Sequence, residues 1–163
     1  LTNQFQGLHR GPIDHNASSV INSIANEAIT MGSVVTLVTP IISSEILPRV
    51  EEGDAAADVG YGIAVGGDTD GIYGDGSAAT DDSTRATASA GQGVVVVTQG
   101  RCPARVDATA AIAIGAPLSA SATAGVLELA DAATDVIIAR ALQVIASGTD
   151  IIAVDVQREG LFT

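Results

Sequence analysis

The residues best suited to chemistry are acidic and close together. Asp68-Thr69-Asp70-Gly71 is followed by Asp75-Gly76 and then by Asp81-Asp82. Carboxylates alternating with glycines on a loop offer the oxygen donors that a hard cation such as calcium takes. Asp68, Asp70 and Asp75 are therefore the candidate calcium ligands. Their spacing is not that of an EF-hand. Counted from Asp68, the third ligand position is Ile72, the glycine position is Tyr73, and no glutamate closes the loop. The same residues also make a solvated acidic loop without a bound ion, and that is the expectation.

Other reactive side chains are scattered. His9 and His15 lie six residues apart, with Asp14 beside them, and are the only candidates for a histidine base or ligand. No helix or strand spacing joins them, so they read as two polar residues of the N-terminal segment. Cys102 stands between Arg101 and Arg105. Flanking cations lower a thiol's pKa, but Pro103 and the apolar neighbours point to a small buried side chain. Arg101 and Arg105 share one strand face and could pair with carboxylates across a subunit interface or within the chain. Asn16-Ala17-Ser18 is a glycosylation sequon, expected to be unoccupied. There is no Gly-x-Ser-x-Gly elbow, no phosphate loop and no zinc-protease motif. No enzymatic activity and no cofactor are expected, calcium at the acidic loop being the one candidate.

The composition narrows the partners. Among 163 residues, 19 Asp+Glu face 7 Lys+Arg, a net charge of -12. All the basic residues are arginines; lysine is absent. Such a balance repels phosphate backbones, and aromatics at 2% leave little for base stacking, so no nucleic-acid partner is expected. No apolar run is long enough to cross a membrane as a helix, and no charged-then-apolar signal segment opens the sequence, which begins at Leu1. A single cysteine excludes an internal disulfide. Short carboxylates without lysine stems suit a high-salt medium, where charge is screened over about 3 Å; an acidic coding bias would leave the same mark.

These residues sit on a chain that reads as one domain with an arm. Residues 1–28 are polar, with Gly and Pro punctuation, and are expected to form an extended N-terminal arm, with a short helix over 18–28 where Val20, Ile21, Ile24 and Ala28 approach helical spacing. Residues 29–163 are expected to form a β domain. Within it, 29–39 reads as a strand ended by Pro40 and 59–65 as a short one. Residues 66–92 read as an acidic loop insertion, with a hairpin at Ile72-Tyr73. Strands are then expected at 93–99, 101–106, 110–114, 126–129, 136–146 and 150–157, separated by glycine turns. Residues 130–145 also fit a helix, but the Ile and Val content favours strand. Short strands at this spacing predict an all-β fold, a small barrel or sandwich.

The order of these elements resembles that of the capsid cement, or head decoration, proteins of tailed bacterial and archaeal viruses. The likeness runs through Gly93-Val94-Val95-Val96-Val97, Gly100-Arg101-Cys102-Pro103-Ala104-Arg105-Val106, Ile114-Gly115-Ala116-Pro117-Leu118, Gly125-Val126-Leu127, Ala139-Arg140-Ala141-Leu142 and Ile152-Ala153-Val154-Asp155-Val156. Upstream, Met31-Gly32-Ser33-Val34-Val35 and Gly62-Ile63-Ala64-Val65 are similar to that family's early strands. The 1–28 arm and the 66–90 insertion depart from it. The resemblance implies an all-β fold, no enzymatic activity, binding to the major capsid protein on the outer surface of the virion, and a homotrimer. The arm is the expected lattice grip. The alternative is a carbohydrate- or cell-surface-binding β module, although such sites use aromatic platforms that this chain lacks.

Overall fold

The computed structural model describes residues 19–38, 47–67 and 87–161, with side chains through residue 157. The described residues are all β. Eleven strands follow in chain order: β1 (Ser19–Ala25), β2 (Ile29–Thr30), β3 (Val34–Leu37), β4 (Arg49–Glu52), β5 (Gly62–Gly67), β6 (Thr87–Ala88), β7 (Gly93–Ala108), β8 (Pro117–Ala120), β9 (Leu127–Leu129), β10 (Val136–Ala141) and β11 (Gly148–Leu161).

Pairing closes these strands into rings. β1, β4, β3, β5 and β7 are hydrogen-bonded in that order, and β7 pairs back with β1. β7, β11, β10, β8 and β9 follow in the same way, and β9 pairs back with β7 through Val106 opposite Leu127. The first half of β7 thus completes one five-stranded barrel and its second half opens another. The strand passes from one to the other at Gly100, whose φ of 99° bends it. Of the two architectures expected, the barrel is the one formed, because closure leaves no free sheet edge within either ring.

The two barrels have the same topology. Each has one parallel pairing, β1 with β4 and β7 with β9; the other pairs in each ring are antiparallel. Registers coincide as well. Val35 opposite Glu52 and Gly62 in the first barrel matches Leu118 opposite Leu129 and Ala139 in the second. Ile29 opposite Ala88 matches the bridge of Ile112 with Ile145. The interior of the first barrel, which includes Ile29, Val35, Val50 and Ala64, is reproduced by Ile112, Leu118, Leu127 and Ala141. Met31 differs, since the equivalent position, Ile114, is not buried.

Several sequence expectations shift. Of the helix expected over 18–28, the described residues 19–28 form none: Ser19–Ala25 is β1, paired with β7 from Ser19 opposite Gln99 to Ile24 opposite Gly93. Branched Val20, Ile21 and Ile24 favour the extended state, and the β7 backbone supplies partners that a lone helix turn lacks. Part of the expected arm therefore lies in the sheet, with Ser23 and Ala25 buried; residues 1–18 lie outside the described residues. The strand expected over 29–39 is broken at Gly32, whose φ of 94° leaves the extended region. The strands expected at 93–99 and 101–106 are one. The 110–114 segment makes only the Ile112 bridge. The helix alternative over 130–145 is excluded by β10. In the 66–92 segment, β5 runs to Gly67 and β6 pairs with β2; the Ile72-Tyr73 hairpin lies outside the described residues.

Candidate functional site

The calcium candidates Asp68, Asp70 and Asp75 lie outside the described residues, as do His9, Asp14, His15 and Asn16. Among the described residues, no three His, Cys, Asp or Glu side chains gather as a metal site. Cys102 is buried in the second barrel, as its apolar neighbours led one to expect. Burial pushes its thiol well above the ordinary range, and the Asp155 carboxylate adds to the shift. The flanking arginines do not activate it. Arg101 and Arg105 do share the outward face of β7, with Arg101 directly opposite Asp155 on β11.

Sequence reasoning missed a repeated turn. Asp54-Ala55-Ala56-Ala57-Asp58-Val59 follows β4, and Asp131-Ala132-Ala133-Thr134-Asp135-Val136 follows β9. In the first, the amides of Asp54 and Ala55 both donate to Asp58 Oδ2 at 3.0 Å. In the second, the amides of Asp131 and Ala132 both donate to Asp135 Oδ2 at 2.9 Å. A carboxylate that caps two amides fixes the reversal between strands. The two copies of the hexapeptide were the available signal, and comparing the chain with itself would have found them.

A second turn is also shared, yet its surroundings differ. The Gly32 amide donates to Ala64 O at 2.7 Å, and the Gly115 amide donates to Ala141 O at 2.7 Å. Both glycines have positive φ, 94° and 84°. The first turn is enclosed. Gly32 O accepts the Arg105 amide of β7 at 2.9 Å, and the Val34 amide donates to Gly125 O at 3.0 Å, so the second barrel covers it. Gly125 itself sits so close to Ser33 and Glu52 that a Cβ there would collide with both. The first barrel's outward side chains Val34, Ile63, Val65, Val95 and Val97 join the second barrel's core. In the second turn, by contrast, Gly115 faces open space. Met31 is 0% exposed; its counterpart Ile114 is 66% exposed. The carbonyl of Gly115 accepts a hydrogen bond from Arg140 Nη1 at 2.9 Å.

What these features define is an all-β protein of two fused five-stranded barrels with a repeated capped turn, and with a few large apolar side chains, Ile114 and Val144 among them, exposed. No family model matches the chain, and no curated protein matches it. Among solved structures, the chain is similar to the head fiber gp8.5 N base of bacteriophage phi29, with a TM-score of 0.53 and 12% identity, over 89% of this chain and 98% of that one. At that identity the likeness is one of fold.

Proposed function

We propose that this protein is a non-enzymatic structural protein of a virus head, which decorates the outer surface of the major capsid protein lattice and self-associates as a homotrimer. The observation that carries this reading is the fold shared with a phage head fiber base along nearly the whole length of both chains. The element order that resembles the cement proteins supports it independently. The mechanism is adhesive: each copy buries a modest area, and linked copies gain by avidity what single contacts lack. The grip, expected over residues 1–28, is assigned to residues 1–18, ahead of β1, which add a strand to a neighbouring sheet on binding. The -12 charge faces the medium, which screens it at high salt.

Co-sedimentation with capsids of the virus that encodes the protein tests this reading. The full chain pellets with capsids at a saturable stoichiometry, and a 19–163 version does not. Failure of the full chain to pellet in both dilute and molar salt would overturn the proposal. Binding to a glycan array without capsid binding would favour the carbohydrate-binding alternative.

A further inference from the structure

The duplication also gives each barrel a two-stranded cap, and the two caps show different faces to water. In the first barrel β2 and β6 form the cap. Ile29 and Ala88 stand opposite one another in it and are both buried. In the second barrel the bridged pair Ile112 and Ile145 is buried in the same way. The flanking pairs turn to the other face. In the first cap these are Thr30 with Thr87, whose hydroxyls lie 3.5 Å apart, and, by the same register, Ala28 with Ser89. In the second cap the antiparallel register sets Ala113 opposite Val144 and Ala111 opposite Ala146, and all four are exposed. Every hydroxyl of the first outer face thus gives way to an alkyl group: Thr30 to Ala113, Thr87 to Val144, Ser89 to Ala146. Val144 is 64% exposed, and Ile114, in the adjoining turn, is 66% exposed.

The acids go with the hydroxyls. Exposed Glu27 stands beside the first cap, and Glu52 Oε1 accepts the Thr30 amide at 2.9 Å. Ala110 and Leu129 hold the equivalent places in the second barrel. No charged residue occurs from Ala108 to Leu127 or from Ala141 to Thr149. Since both caps pair alike, the fold itself does not require the change. An outer face that is apolar where its duplicate is polar is a surface kept for contact.

We propose that this second cap is the surface through which copies of the chain meet, cap against cap. The occupant is a second copy on grounds of charge. Each copy carries -12, so two copies repel wherever their carboxylates face one another. This cap lets them meet without opposing acids. Its side chains are short or branched and need no pocket, so two such ribbons approach face to face. Removing Val144 and Ile114 from water supplies the drive. Asp107 and Asp150 flank the charge-free segments, so the contact strengthens as salt screens them. The cap is smaller than the roughly 20–30 residues a side of a stable interface, so by itself it reverses on dilution. The inference rests on the self-association part of the reading above and names its surface.

Sedimentation equilibrium on the full-length chain tests it. The wild type associates reversibly at micromolar concentration in molar salt, and less in dilute salt. A113T/V144T/A146S gives the second cap the outer face that the first already carries. It weakens association by about tenfold or more, because hydroxyls are then taken out of water. Cross-linking locates the contact. V144C is joined to its counterpart by a short bismaleimide, whereas T87C, at the same place on the first cap, is not; Cys102 is buried and does not react. A monomeric wild type, a triple variant that associates as tightly as the wild type, or T87C cross-linking equal to that of V144C would each overturn the proposal. Should the triple variant unfold, the two cysteine variants are read instead. Failure of the wider reading shows separately: a cap-dependent dimer would sink the homotrimer, and a cap-dependent oligomer that ignores capsids would sink decoration, while either would support this contact.

Discussion

Asp58 and Asp135 hold the same place in two copies of one turn, each accepting through Oδ2 the amides of the residues three and four positions before it. The turn hands the chain from β4 to β5 and from β9 to β10. Where it recurs, so do strand order and register, and this makes the chain a tandem duplication welded along β7.

Removing these caps weakens both barrels unequally. Asp135 is buried and Asp58 half-buried. Asp135→Ala leaves two amides without their charged acceptor and is expected to cost about 2–3 kcal/mol, with Asp58→Ala nearer about 1 kcal/mol. Asn at either position retains one acceptor oxygen and loses less. Urea unfolding curves of the four variants give the ordering.

Gly125 and Gly115 both have positive φ, 73° and 84°, but only Gly125 is wedged against the other barrel. Gly115→Ala is expected to cost about 1–2 kcal/mol, the strain of a left-handed residue. Gly125→Ala adds overpacking of about 1–3 kcal/mol against Ser33 and Glu52. Thermal melts that showed the two substitutions to be equal would mean that the barrels are not tightly joined there.

The Cys102 thiol is buried, and its pKa is raised by desolvation first and Asp155 second. Above the ordinary thiol range, the unfolded chain gives up this proton while the folded chain keeps it. Folding stability contributed by this group is therefore complete below that range and falls as pH rises through it, by about 1.4 kcal/mol per pH unit. Alkylation of Cys102 should proceed only at the rate of unfolding, and Cys102→Ala should flatten the alkaline decline.

Truncation separates arm from fold. A 19–163 chain keeps β1 and is expected to unfold cooperatively. A 29–163 chain loses β1, with Ser23 and Ala25 from the buried set and the strand that closes the first barrel, and is expected to lose cooperative unfolding. Circular dichroism on both chains reads the difference.

Salt should stabilise the folded chain. A net charge of -12 repels itself over about 10 Å at 0.1 M salt and over about 3 Å at 1 M. The melting temperature should rise across that range, and a flat response would remove the high-salt reading.

Much of the β character was legible in the sequence because its signals are local. The alternation of Ile152, Val154 and Val156 buried against Asp155 and Gln157 turned outward follows from the two-residue period of a strand, and glycines marked most turns. The 18–28 segment misled because helix and strand spacing overlap in so short a run, and only the partner strand β7 decides between them. Cys102 was legible as buried. The acidic loop and the histidines stand in segments about which the described residues say nothing.

Pairing was decided by the tertiary structure. Nothing in residues 93–108 says that one strand serves two barrels, or that β1 lies parallel to β4, because these partners are far apart in sequence and are chosen by closure. The hexapeptide beginning at Asp54 and repeated at Asp131 carries the duplication in plain sight. Its consequence is spatial: the same turn is covered at Met31 and open at Ile114. Covering depends on which barrel lies next to which, and a residue's own identity does not encode its neighbour across the fold.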